Sequence, residues 1–86
     1  MSDVSLTDLT LFLARAIVSS PDAVEVREDE EDDVTVVKVS VDPRDVGRLI
    51  GRKGRTIDAL RTLVDVAASA DGRHATVEVL EPERDD

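Results

Sequence analysis

Two glycines bracket two cations at Gly51-Arg52-Lys53-Gly54, with an apolar-periodic segment on each side. This stretch, from Val46 to Ile57, constrains the chain more than any other. Gly51 stops one helical pattern and Gly54 precedes the next, so the chain reads here as a short helix, a tight basic loop and a longer helix. A helix N-terminus favours anions, because its first amides are unpaired and its dipole end is positive. Arg52 and Lys53 add two mobile charges at the same spot. Neither glycine carries a Cβ, so a backbone can come close. The ligand that suits such a loop is a phosphate, and a polynucleotide backbone is the natural source of one.

The rest of the chain supplies a scaffold. Residues 4–18 read as a helix: Ser5 is an N-cap, Asp8 stands three positions later as in a capping box, and Val4 and Leu9 occupy the hydrophobic-staple positions. Leu6, Leu9, Leu13, Ala16 and Ile17 recur at helical spacing, and Phe12, the one aromatic residue, is assigned to the same core face. Residues 23–27 alternate as a half-buried strand, and six consecutive acids, residues 28–33, read as a solvated loop. That run lacks the Gly and terminal Glu of a calcium loop, so no metal site is expected there. Residues 34–41, rich in valine, form a second, central strand that makes an antiparallel hairpin with the first.

Asp42 caps the next helix, Pro43 opens it and Asp45 lies in its first turn, with Val46, Leu49 and Ile50 on its apolar face. The longer helix covers residues 55–70. Ile57, Leu60, Leu63, Val64, Val66, Ala67 and Ala68 make its apolar stripe broad enough to bury a second surface, which points to a dimer or a partner. After a turn at Asp71-Gly72-Arg73, residues 75–80 form a third strand, and residues 81–86 are a charged tail. The order is α-β-β-α-α-β. Two helices connect the second strand to the third, so that pair is parallel, with helices on one face of a three-stranded mixed sheet. Residues 1–80 are read as a single domain.

Charge distribution matters more than its total. Net charge is −9, yet residues 44–61 hold six basic and two acidic residues, against five and eighteen elsewhere. A basic patch on an acidic body attracts a polyanion locally and with strong salt dependence. There is no cysteine, so disulfides and thiolate metal sites are excluded. The single histidine, His74, has no serine or cysteine partner at an obvious spacing, and the Gly-x-x-x-x-Gly-Lys-Ser/Thr arrangement of a nucleotide-hydrolysing loop is absent. The chain is therefore not expected to be an enzyme or to carry a cofactor. It shows no basic n-region of a signal peptide and no apolar run long enough to span a bilayer, and is expected to be cytoplasmic.

Val46-Gly47-Arg48-Leu49-Ile50-Gly51-Arg52-Lys53-Gly54-Arg55-Thr56-Ile57, set between two helices in a strand-helix-helix-strand core, resembles the KH domain. The leading helix and strand make it similar to type II, and the size is similar to the small bacterial single-KH proteins of the KhpA type. The resemblance covers nearly the whole chain. It implies an α+β fold, single-stranded RNA as ligand, an RNA-chaperone role, and a homodimer or a heterodimer with a larger KhpB-type protein. It extends to cell elongation and envelope homeostasis. It also implies that Gly51, Arg52, Lys53 and Gly54 clamp the backbone of about four nucleotides. The base groove then lies between the two helices and the second strand, with Gly47 and Ile50 against the bases. Arg48 and Arg55 flank the loop as further phosphate contacts, and Arg44 and Arg61 are weaker candidates. The groove has no aromatic platform, so affinity per nucleotide is expected to be low, and the acidic run is placed at the groove's rim. The alternative is a protein-interaction adaptor that uses the acidic body and the broad face of the longer helix.

Overall fold

The computed structural model describes residues 5–80. Six main elements follow in the expected order: α1 (Leu6–Ile17), β1 (Glu25–Glu31), β2 (Val34–Ser40), α2 (Val46–Ile50), α3 (Arg55–Ser69) and β3 (His74–Val79). Short 3-10 turns precede β1 and α2 and fill the loop before α3. The sheet order is β1-β2-β3, with β1 antiparallel and β2 parallel to its neighbour β3, so the valine-rich strand is central. Val26, Val37, Val39, Ala75 and Val77 point to the helices and share one core with Leu49, Ile57, Leu60, Val64 and Ala68. The opposite face carries Lys38, Ser40 and Glu78, as strand alternation requires. Val4 and the tail at 81–86 lie outside the described residues.

The start of α1 is capped as its sequence predicts: Ser5 Oγ accepts from the Asp8 amide at 3.1 Å. Its buried face is different. Leu6, Thr10 and Ala14 are buried, whereas Phe12 is 71% exposed and Ala16 is also exposed. Phe12 is therefore not a core residue. At about 100° per residue it lies some 200° around the helix from both Thr10 and Ala14. The small side chains of Thr10 and Ala14 face inward and let α1 lie close to the sheet.

The acidic run is not a loop. Residues 28–31 continue β1, and only Asp32 and Asp33 make the turn, both with positive φ (51° and 66°). Two consecutive left-handed residues are what a tight hairpin turn needs. The repulsion expected of six acids is relieved by partners that the fold brings from elsewhere. Lys38 Nζ lies 2.7 Å from Asp29 and 3.7 Å from Glu31. Glu28 accepts from the Thr7 hydroxyl at 2.6 Å, and Glu30 from the Thr35 hydroxyl at 2.9 Å. The hydrogen bond and charge of Lys38 hold the Asp29 carboxyl below the usual aspartate range.

Among the described residues, the Thr10 hydroxyl is a buried polar group with no partner. Replacing it with an isosteric methyl removes an uncompensated desolvation penalty. Thr10→Val is expected to stabilise the fold by about 1 kcal/mol, raising the melting temperature by roughly 4–8 °C. Thermal denaturation followed by circular dichroism checks this, and a lower midpoint would show that the hydroxyl is satisfied.

Candidate nucleic-acid interface

Gly47, Arg48, Ile50, Gly51, Arg52, Lys53, Gly54 and Arg55 fall on α2, the loop and the first turn of α3. Local chain geometry alone brings them together. Leu49, fully buried, fastens α2 to the core, while Ile57 and Leu60 do the same for α3. The residues between these anchors are left outside: Arg48 is exposed, and Ile50 is 37% exposed.

The loop's path depends on both glycines, for different reasons. Gly51 has φ 79° and ψ 170°, a region open essentially to glycine alone. A Cβ there would also lie 2.7 Å from Thr56 Cβ and 2.9 Å from the Thr56 amide. The space on the Cβ side of Gly51 is thus filled by the protein's own Thr56. Gly54 has φ 76° in the left-handed region, with only Ile57 Cγ2 near its Cβ position, at 3.9 Å. Lys53 shares the left-handed conformation at φ 57°, which costs a side-chain-bearing residue about 1–2 kcal/mol. The Gly54 amide closes the turn onto the Gly51 carbonyl at 3.1 Å. Gly47 is exposed, and no atom lies within 4 Å of its Cβ position, so helix packing does not explain its lack of a side chain.

The cations divide into free and engaged. Among the described residues, no carboxylate lies within ion-pair distance of Arg52, Lys53 or Arg55. Arg44 is held by Asp42, with Nε 3.2 Å from Oδ1. Arg61 donates to Asp58 at 3.1 Å and to the Val77 carbonyl at 3.1 Å. Arg48 Nε is 3.9 Å from Asp45, with the rest of its side chain largely exposed. The three free cations therefore cluster at the loop and at the N-terminal end of α3.

The acidic hairpin tip is not at this rim. α3 and β3 run antiparallel, as Arg61 contacts Val77 while Asp65 contacts Ala75. Glu31 pairs with Val34, which pairs with His74, so the tip lies beside the C-terminal end of α3. The basic loop lies beyond the other end of β2. A seven-residue strand separates the two by about 20 Å, about two Debye lengths at 0.1 M salt.

Asp45 is the residue that sequence reading missed. Read there as a first-turn acid, it is fully buried. Its carboxylate accepts from the Ser19 amide (3.0 Å), the Ser19 hydroxyl (2.8 Å) and the Ser20 amide (3.0 Å). These bonds, the Ser19 amide first, outweigh desolvation and hold its pKa below the ordinary aspartate value. No local signal links positions 26 residues apart.

Two predictions follow from this geometry. Gly51→Ala is expected to destabilise the fold by roughly 1–3 kcal/mol through a forbidden φ and the clash with Thr56. Gly47→Ala is expected to be neutral or to stabilise by up to about 1 kcal/mol. Urea denaturation of both variants checks the contrast, and equal losses would remove the loop account. For Asp45, the lowered folded pKa means its stabilisation is present above the unfolded value, near pH 4, and is lost as pH falls through the folded pKa. Asp45→Asn should therefore be less stable than the native chain at neutral pH, and the difference should shrink as pH falls through the folded pKa. A difference that does not shrink as the solution is acidified below the unfolded value would contradict this.

The sequence model of the family described as "KhpA/KhpB, KH domain" matches residues 7–79. The chain is 38% identical over 73 residues to "RNA-binding protein KhpA" of Caldanaerobacter subterraneus subsp. tengcongensis, covering 85% of this chain and 97% of the relative. It is 46% identical over 69 residues to the protein of the same name from Leifsonia xyli subsp. xyli, covering 80% and 88%. With the Aquifex aeolicus protein of that name, identity is 34% over 77 residues, covering 90% and 98%. The chain therefore belongs to the KhpA/KhpB family of KH-domain proteins, which are not enzymes.

Proposed function

We propose that the chain is a single-stranded RNA-binding protein in which residues 1–80 act as one KH unit. Gly51, Arg52, Lys53 and Gly54 grip the sugar-phosphate backbone, and Arg48 and Arg55 extend the phosphate contacts. Gly47 and Ile50 offer bare backbone and an aliphatic surface to the bases. The observation that carries the reading is the cluster of three cations, Arg52, Lys53 and Arg55, that have no carboxylate within ion-pair distance among the described residues, in a body of net charge −9. Its relatives' name, "RNA-binding protein KhpA", points the same way. Arg44 and Arg61 are set aside, since their guanidinium groups are engaged within the protein.

A role as an RNA chaperone follows from a clamp that holds backbone and has no aromatic platform to stack bases, so it binds and releases readily. Partnership with a second copy or with a KhpB-type protein supplies the affinity that one module lacks. Leu63 and Val66, 50% and 63% exposed on α3, favour such a partnership and support the adaptor reading as a second function. Cell elongation and envelope homeostasis are the processes this assignment connects to.

The test is binding of a labelled single-stranded RNA pool to the native chain and to Arg52→Asp/Lys53→Asp, both first shown to be folded. With about three phosphates neutralised, affinity should fall about tenfold between roughly 50 and 150 mM salt, and the variant should lose binding. Equal binding by both proteins, or by neither, would overturn the clamp and leave the adaptor function.

A further inference from the structure

The two outer edges of the sheet are treated differently. Leu80 donates to the Val39 carbonyl. In a parallel ladder this directs the main-chain groups of Thr35, Val37 and Val39 toward β3 and those of Val34, Val36, Lys38 and Ser40 toward β1. The residues of β3 that face outward are then Ala75, Val77 and Val79. Two of those outward groups are capped by α3: Asp65 Oδ1 accepts from the Ala75 amide at 3.3 Å, and Arg61 Nε donates to the Val77 carbonyl at 3.1 Å. The protein covers part of this edge with its own side chains.

The β1 edge is left open. Its ladder partners are Glu25, Arg27, Asp29 and Glu31, opposite Ser40, Lys38, Val36 and Val34. The amides and carbonyls of Val26, Glu28 and Glu30 therefore face outward. Among the described residues, no side chain and no segment outside the sheet hydrogen-bonds to them. Three evenly spaced donor–acceptor pairs on a seven-residue strand, with neither proline nor bulge, form a template for another strand.

Charge selects what fits that template. β1 carries five acids and one base. Lys38 engages only Asp29 and Glu31, leaving a strongly negative edge. A second copy of β1 laid antiparallel about Glu28 would set Glu28 against Glu28 and Glu25 against Glu31, which is destabilising and only partly offset by Arg27 against Asp29. RNA is repelled for the same reason. An extended chain with lysine or arginine at alternate positions meets both demands.

We infer that the open edge of β1 is a docking strand for an extended basic segment of a partner protein, which adds as a fourth strand on the main chain of Val26, Glu28 and Glu30. This surface is independent of the basic loop and lies on a different part of the fold.

The experiment uses the full chain and a fluorescent seven-residue peptide of alternating lysine and valine. A second peptide has the same sequence with alternate amides N-methylated, which removes strand donors and keeps the charge. The unmodified peptide should bind saturably and more weakly with rising salt, and methylation should weaken it at least about tenfold. Glu28→Pro removes an outward amide without breaking the β1–β2 ladder and should weaken binding likewise, while Glu28→Ala should weaken it less. Arg52→Asp/Lys53→Asp should bind the peptide like the native chain, which separates this surface from the proposed RNA clamp. Equal binding of the two peptides would show electrostatic attraction alone and overturn the inference. So would no binding, or a self-association that Glu28→Pro abolishes, since the edge would then belong to a second copy.

Discussion

The carboxylate of Asp45, enclosed by protein, holds the end of α1 to the beginning of α2. Three hydrogen bonds from Ser19 and Ser20 satisfy it. A buried charge is tolerated only when it is bonded this fully. The consequence is positional. Ser19 and Ser20 follow α1, which lies on the sheet, while Asp45 opens the five-residue α2 that leads into the Gly51–Gly54 loop. A helix that short has little stability of its own. It is fixed by Asp45 at its start, Leu49 in the core and the Gly51–Thr56 approach at its end. The loop's path is therefore set from both ends, with backbone conformations that free chains seldom adopt.

Along this path three cations sit together with no carboxylate within ion-pair distance among the described residues. Seven of the twenty acids lie in β1 and its turn, where Lys38, Thr7 and Thr35 engage part of their charge. A strand length separates the tip of this hairpin from the basic loop. At physiological salt that distance is enough for each end of the molecule to present its own potential. The loop thus presents a local potential opposite in sign to the mean charge of the chain.

Much of this was legible in the residues. The Ser5 cap, the Asp42-Pro43 helix start, the central valine strand and the helix-loop-helix around Gly51 and Gly54 all rest on neighbours within a few positions. Local propensity and periodicity operate on that scale. The same scale explains the errors. Phe12 repeats at nearly the right spacing for the face of α1, but the buried side is set by what fits beneath the helix, and there Thr10 and Ala14 fit. Residues 28–31 look like a loop by composition, because repulsion between neighbouring acids is visible in sequence and the cross-strand lysine is not.

Element order, the antiparallel hairpin, the parallel crossover and the placing of Gly47 to Arg55 on one helix-loop-helix each follow from short-range pattern or chain connectivity. Packing set which described cations are engaged, where the acidic strand lies relative to the loop, which sheet edge is partly capped, and that Asp45 is buried. Those outcomes depend on contacts such as Ser19 with Asp45 and Arg61 with Val77. Residues so far apart meet only when helices pack on a sheet in a single register, and no local pattern encodes that packing.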